Sequence, residues 1–327
     1  IELAIKIRDR FYTLDSLEFN SNDEIRSIHN PDDFFSIHTS GNYLVVEDLD
    51  IREDSRGVSL TFNGTLDFQG HSLYTRNQTF NSTFTKIGSN GVIKNLDLHM
   101  EWFIRRSYYN GFFSDNYGTI SNIIITLESA VEEPSSNSEL LVRTNHNGAV
   151  IENFVVHTKV EFNLSQSSSL LVAYNQGIIR NGYLYGEKIN ANFERLTTDD
   201  KNVGVVIVDG NSNNILENVY SLIEVDNIPL EQATSQDNVG NLYGRATYAN
   251  VRNVYSVAEG KNRNLQTDPN FGNISQLQTE NVFYINNSIY NTSYSLKTAK
   301  TALWNTTFQD KVLNTSGQFN VDDFVPY

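Results

Sequence analysis

The chain has 327 residues, room for one large domain or two ordinary ones, and a 39% hydrophobic composition with 19 Phe and 17 Tyr can supply a core. A net charge of −15 repels phosphate backbones and anionic lipid, so nucleic acid and membrane surfaces are not the expected partners. The absence of cysteine excludes disulfides, a thiolate nucleophile and Cys-ligated metals, and no apolar run approaches the roughly 20 residues that span a bilayer.

The first predicted element in chain order is a short helix within "SIHNPDDFFSI" (27–37). Asn30 is placed as its cap, Pro31 at its first position, and Asp32 and Asp33 in its first turn, where carboxylates meet the positive end of the helix dipole. Together with residues 1–19 it is expected to plug the open end of a coiled β-structure. "GNYLVVEDLDI" (41–51) and "VSLTFNGTLDF" (58–68) read as the first strands.

A repeat then begins. "NGVIKNLDL" (90–98), "NYGTISNIII" (116–125), "NGAVIENFVV" (147–156) and "NQGIIRNGYL" (175–184) share one pattern, and weaker copies start at residues 213, 248 and 277. Each has a polar turn, an aliphatic residue, a variable residue, an asparagine and an apolar run rich in Val, Ile, Tyr and Phe. The anchoring asparagines are Asn95, Asn122, Asn153, Asn181, Asn218, Asn253 and Asn281, separated by 27, 31, 28, 37, 35 and 28 residues, a solenoid-sized period. Short apolar stretches such as "GFFSDN", "LLVRTN" and "LLVAYN" precede the middle copies, so each unit reads strand, turn, strand. Asn tolerates a left-handed corner, and in stacked coils its amide can hydrogen-bond to the amides above and below as a ladder. The longer separations predict inserts at 130–140, 186–203 and 225–240 that leave the coil as loops, carrying residues such as Glu132, Glu133, Asp199 and Asp200. Residues 286–327, rich in Asn, Thr and Ser, read as a C-terminal cap. The expected organisation is therefore a cap (1–40), a repeat region (41–285) and a tail (286–327).

"NYLVVEDLDI", "FNGTLDFQGHSL" and "GVIKNLDL" together resemble the opening of bacterial surface proteins with GLUG repeats, and "GFFSDNYGTISN" (111–122) is similar to the repeat itself. Phe68 stands where that motif has glycine. Proteins of this kind include the N-terminal region of IgA1-type zinc metalloproteases and adhesins. The resemblance covers roughly residues 25 to 327. It implies an all-β chain forming a right-handed parallel β-helix, a solenoid with a short N-terminal capping helix.

Within "FNGTLDFQGHSL", Asp67 and His71 are flanked by Gly64 and Gly70. A catalytic pair would need a third group and a cleft. The expectation is instead the first turn of the coil, with both glycines at positive-φ corners and Asp67 bonding backbone amides two residues on.

Catalytic motifs are sparse in the sequence. The six histidines (29, 38, 71, 99, 146 and 157) never form H-E-x-x-H, and no nucleophile elbow or phosphate loop is present. No metal and no cofactor is expected. Asp48 and Asp50 share one strand face and, with Glu47, Glu53 and Asp54, could hold Ca²⁺, although no calcium-loop spacing supports it. Glycosidase carboxylates could come from Asp48 with Asp50, Glu132 with Glu133, Asp199 with Asp200 or Asp322 with Asp323. Arg105 and Arg106 are the one basic pair, set among aromatics. The start at Ile1 is expected of a processed product or a piece of something longer. The expected function is a non-catalytic extracellular or cell-surface scaffold or adhesion module that binds an extracellular protein or glycan. The alternative is a polysaccharide-active β-helix, a glycosidase or lyase. Oligomeric state is not legible.

Overall fold

The computed structural model describes residues 4–7, 10–13, 25–77, 82–103, 111–131, 138–164, 168–191, 202–211, 213–223, 225–227, 238–240, 242–257 and 271–285. It is an all-β chain whose principal sheet holds 18 strands, wound as a parallel β-helix. The pairs in this sheet are parallel and join each strand to its counterpart one coil away, so neighbouring coils lie about 4.8 Å apart.

Each coil has three faces. The leading face ends at the asparagine corner, the trailing face comes after it, and the return face brings the chain back. On the leading face the inward column runs Tyr43, Leu66, Ile93, Ile120, Ile151, Ile179, Leu216 and Val251. On the trailing face it runs Leu49, Leu73, Leu98, Ile125, Val156 and Leu184, then Ser221 and Ser256. On the return face it runs Phe84, Phe113, Val142, Val172, Ile207 and Tyr243. All of these are buried, and the aliphatic and aromatic members fill one continuous core. On the leading face alternation sends every second side chain out, whereas return strands such as Phe113–Asn116 and Val142–Asn145 bury both end residues and turn the middle pair outward.

Stacking demands fit between coils as well as within them. Gly182 lies above Phe154, and a Cβ on it would fall 1.9 Å from Phe154 Cζ. The ring fills the space that a side chain at 182 would need.

The helix spans Pro31–Phe35, capped by Asn30, whose side chain accepts from the Asp33 amide at 3.0 Å. Its Phe34 is fully buried against Phe68 and Phe84, with ring centroids 6.4 and 6.5 Å away. Phe68, the departure from the glycine of the motif, thus supplies the floor on which the helix rests. Arg56 Nη1 ties the helix to the first coil through Asp32 at 2.7 Å. The parallel sheet begins inside the segment read as the cap, because Ile25–Ile28 already pairs with Asn42–Val45.

The inserts require a correction. Their ends are not loops but short strands in register. Ser138–Glu139, Asn202–Gly204 and Asn238–Gly240 join Ser168–Ser169, from a coil without an insert, in one parallel ladder, and Ile189–Ala191 and Val225–Asn227 join Phe162–Leu164 in another. Strands of two or three residues are too short to show a period, so sequence could not separate them from loop. The middles of the inserts (132–137, 192–201 and 228–237), the basic pair Arg105 and Arg106, and the tail 286–327 lie outside the described residues.

Candidate functional site

The asparagine corner comes first, because the fold turns there once per coil. Asn95, Asn122, Asn153, Asn181, Asn218 and Asn253 all adopt left-handed φ, between 50° and 57°. Each Nδ2 donates to the Oδ1 one coil earlier: Asn122 to Asn95, Asn153 to Asn122, Asn181 to Asn153 and Asn218 to Asn181 at 3.0 Å, and Asn253 to Asn218 at 3.1 Å. Asn281 stands one coil further on, between the partners of Arg252 and Val254, but its side chain lies outside the described residues.

The first member of this column is Asp67. Asn95 Nδ2 donates to Asp67 Oδ1 at 2.8 Å, the Gln69 amide donates to the same oxygen at 2.8 Å, and Lys94 Nζ sits 3.4 Å from Oδ2. All the amides of the ladder point their N–H groups toward this end, so their aligned dipoles present positive charge to the carboxylate. That is what makes an Asp with 6% exposure tolerable here.

His71 is not Asp67's partner. Its Nδ1 lies 3.2 Å from Asp48 Oδ1, and that oxygen also accepts from the Ser72 amide at 2.9 Å. Of the two glycines, only Gly70 has positive φ (82°), and Gln69 beside it supplies the left-handed residue at 51°. Gly64 serves another purpose, since a Cβ there would fall 1.9 Å from the Gly41 carbonyl oxygen one coil below.

A second, fully buried column escaped the sequence reading. Asn116 Nδ2 donates to Asn145 Oδ1 at 2.9 Å, and Asn145 Nδ2 to Asn175 Oδ1 at 2.8 Å. Asn175 Nδ2 closes on the Gly177 carbonyl at 3.3 Å. This ladder donates toward the C-terminus, opposite to the first. At the next coil Gly210 takes the position, and Asn214 moves into the space, its Oδ1 accepting from Tyr243 Oη at 2.7 Å and its Nδ2 donating to the Tyr248 carbonyl. The signal was present as the asparagine that ends "GFFSDN", "LLVRTN" and "LLVAYN".

The outer trailing face of the early coils carries the densest chemistry. His99 Nε2 is 3.2 Å from Asp97 Oδ2, its Nδ1 is 2.7 Å from Glu128 Oε1, and its ring stacks on Tyr74. Ser72 Oγ donates to Asp97 Oδ2 at 3.1 Å, so the hydroxyl faces a carboxylate and not the imidazole that would activate it. Lys159 Nζ donates to both Glu128 oxygens at 2.8 Å. Nearby, Arg52 bridges Asp50 and Glu101, Arg76 bridges Glu101 and Glu53, and Arg56 clamps Asp54. The acidic residues that could have gathered around Ca²⁺ are therefore each turned toward a cation or a histidine. Among the described residues no group of three or more His, Asp or Glu side chains is placed to hold a metal.

Titration reflects these partners. Hydrogen bonds from Arg52 hold Asp50 below the usual carboxylate range, and Arg56 does the same for Asp54. Glu128 is pushed up by burial, but Lys159 and His99 outweigh that and its net shift is downward. On the same face His157 is pushed down, first by burial and then by Lys159, while its ring lies parallel to Tyr185 at 4.3 Å. Burial raises Tyr183 and the enclosed Tyr243. The other carboxylate pairs read from sequence, Glu132 with Glu133, Asp199 with Asp200 and Asp322 with Asp323, lie outside the described residues.

On the outer return face one register column runs Lys86, Asp115, Thr144, Tyr174, Asp209 and Arg245. Its first members are occupied: His146 Nε2 is 2.7 Å from Asp115 Oδ1 and its ring stacks on Tyr117 at 3.8 Å, with Lys86 Nζ 4.4 Å from the centre of the Tyr117 ring. Arg245 Nη2 donates to Asp209 Oδ2 at 2.6 Å. Tyr174 is 37% exposed.

No known family model and no curated protein matches this sequence. Among solved structures, one titled "IgA1 Protease" superposes with a TM-score of 0.46 at 16% identity, covering 90% of this chain and 23% of that one. This chain thus spans under a quarter of that protein's length, and a likeness so distant carries no argument about activity.

Proposed function

We propose that this chain is a stiff, non-catalytic binding region of an extracellular or cell-surface protein, with residues 25–285 as the solenoid and the flanking segments closing its ends. The observation that carries this reading is the clamping of outward carboxylates by cations. A glycosidase general acid needs a raised pKa, and it stands across a groove from a second carboxylate. Among the described residues, Asp50, Asp54 and Glu128 are all held below the usual carboxylate range, the opposite direction. Cross-coil ion pairs and two amide ladders favour a rod that holds its outer faces in fixed register, which suits presentation of a surface to a large partner. The extracellular setting is supported by the absence of cysteine and by the resemblance to GLUG-repeat surface proteins.

The test has two arms. Purified chain is incubated with plant, bacterial and host polysaccharides and with protein substrates, and separately captured on glycoprotein-coated surfaces before and after deglycosylation. Retention on a surface without any turnover supports the proposal. Polysaccharide turnover abolished by Glu128→Gln would establish the enzyme reading instead.

A further inference from the structure

We propose that the outer return face carries a subsite for a neutral pyranose of a glycan chain, centred on Tyr174 and completed by Thr144 and Asp209; this rests on the reading of the chain as a binding region. Three large hydrophobic side chains are exposed among the described residues: Ile25, Tyr174 and Leu277. Ile25 and Leu277 belong to the first and last described strands of the principal sheet, where stacking neighbours run out. Tyr174 lies in its middle, paired on both sides with strands Val142–Asn145 and Ile207–Gly210.

Among the described residues its ring also has no stacking partner. Tyr74, Tyr117, Tyr183 and Tyr185 stack on other rings, Tyr220 packs tilted against Tyr183, and Tyr43, Tyr243 and Tyr248 engage their hydroxyls in hydrogen bonds. Among the described residues Tyr174 does neither. The positions flanking it are open in the same way. Thr144 Oγ1 makes no side-chain hydrogen bond among the described residues. Arg245 holds Asp209 Oδ2 and thereby fixes the carboxylate while leaving Oδ1 without a partner among them. A hydroxyl, a ring face and a carboxylate oxygen therefore stand in line on three successive coils, spaced about 4.8 Å apart, comparable with the width of one sugar ring. Lower in the same column Lys86 and Asp115 are already engaged, Lys86 over the Tyr117 ring and Asp115 by His146, which stacks on Tyr117.

The chemistry selects the ligand. A tyrosine ring offers a flat apolar platform for the C–H face of a pyranose, and its hydroxyl offers a polar rim. An oriented carboxylate oxygen accepts from sugar hydroxyls, and Thr144 can donate or accept. Asp209 and the net charge of −15 oppose an anionic sugar. A protein partner fits less well, because a single ring amid polar groups does not make the contiguous apolar patch or the enclosed anchor that protein interfaces use.

Saturation-transfer NMR on the whole chain tests this, with neutral tetrasaccharides of glucose, galactose, mannose and N-acetylglucosamine and a tetragalacturonate as the anionic probe. Transfer is expected from at least one neutral sugar and not from tetragalacturonate. Tyr174→Ala should reduce it by about tenfold, Asp209→Asn should also weaken it, and Tyr174→Phe should retain it. Because most of the Tyr174 surface is covered (37% exposure), Tyr174→Ala should lower the melting temperature modestly, and transfer is compared at a temperature where both chains are folded. Absence of transfer from all four neutral sugars, or transfer unchanged in Tyr174→Ala, would overturn the subsite. Capture on deglycosylated protein-coated surfaces that survives either result would leave the binding-region reading standing without it.

Discussion

Asn153 sits in the middle of the amide ladder, and its replacement by alanine can be worked through bond by bond. It is 6% exposed with φ of 56°. Its Nδ2 donates to Asn122 Oδ1 and its Oδ1 accepts from Asn181 Nδ2, both at 3.0 Å. Truncation leaves an acceptor one coil earlier and a donor one coil later, and an unpaired buried polar group costs about 1–3 kcal/mol. Asn122 is partly open to water, so its oxygen belongs near about 1 kcal/mol, while the buried Asn181 amide belongs near about 2. Alanine in a left-handed conformation adds about 1 kcal/mol, for a total of about 4. Asn153→Gly removes that strain and should cost about 3 kcal/mol. Asn153→Asp keeps the acceptor for Asn181 but sets oxygen against oxygen at Asn122, so it should not rescue. Guanidinium denaturation followed by far-UV circular dichroism reads all three. Pairing Asn153→Gly with Asn181→Gly should cost less than the sum of the singles, because the two share one bond. If Asn153→Gly fell within about 0.5 kcal/mol of wild type, as an ordinary surface change does, the ladder would not be what holds this corner.

Three further outcomes rest on the same geometry. Asp67→Ala removes the acceptor for the Asn95 side chain and the Gln69 amide and should cost about 2–4 kcal/mol, whereas Asp67→Asn, which can still accept, should cost less; equal midpoints for the two would show that the ladder needs no cap. Gly182→Ala should destabilise by about 3 kcal/mol through the clash with Phe154, and adding Phe154→Leu should recover part of the loss; an unchanged denaturation midpoint in the single variant would show that the coils can part at no cost. The depressed pKa of His157 means the folded chain favours the neutral ring, so its stabilising contribution is present above the ordinary value of 6.5 and is lost as pH falls through the lower folded value. His157→Phe keeps a ring to stack on Tyr185 and should flatten the decline in melting temperature on acidification below about pH 6.5; an identical decline would assign it to other groups.

The strands of the main faces were legible in the sequence because they are alternating or continuous runs of apolar, β-branched and aromatic residues, and the asparagine corner because stacking imposes a longer period on the chain. Neither depends on knowing which coil touches which. The second column, Asn116, Asn145 and Asn175, carries the same kind of signal, but one strand earlier and with Gly210 where the run breaks. Phe68 stood in the sequence only as a missing glycine, and its burial beneath Phe34 depends on a helix that folds back across the open end. The paired strands at the ends of the inserts are too short to announce themselves, and only register reveals them. The outer chemistry was the least readable. Asp48 and Asp50 lie two residues apart in the chain, yet one faces His71 and the other Arg52. Tyr174 is one tyrosine among 17 until its neighbours on adjacent coils are known. Sequence determines which residues face in, because water acts on each strand separately. Which outward groups neutralise one another and which are left open is decided only when coils some 30 residues apart are brought to within about 4.8 Å.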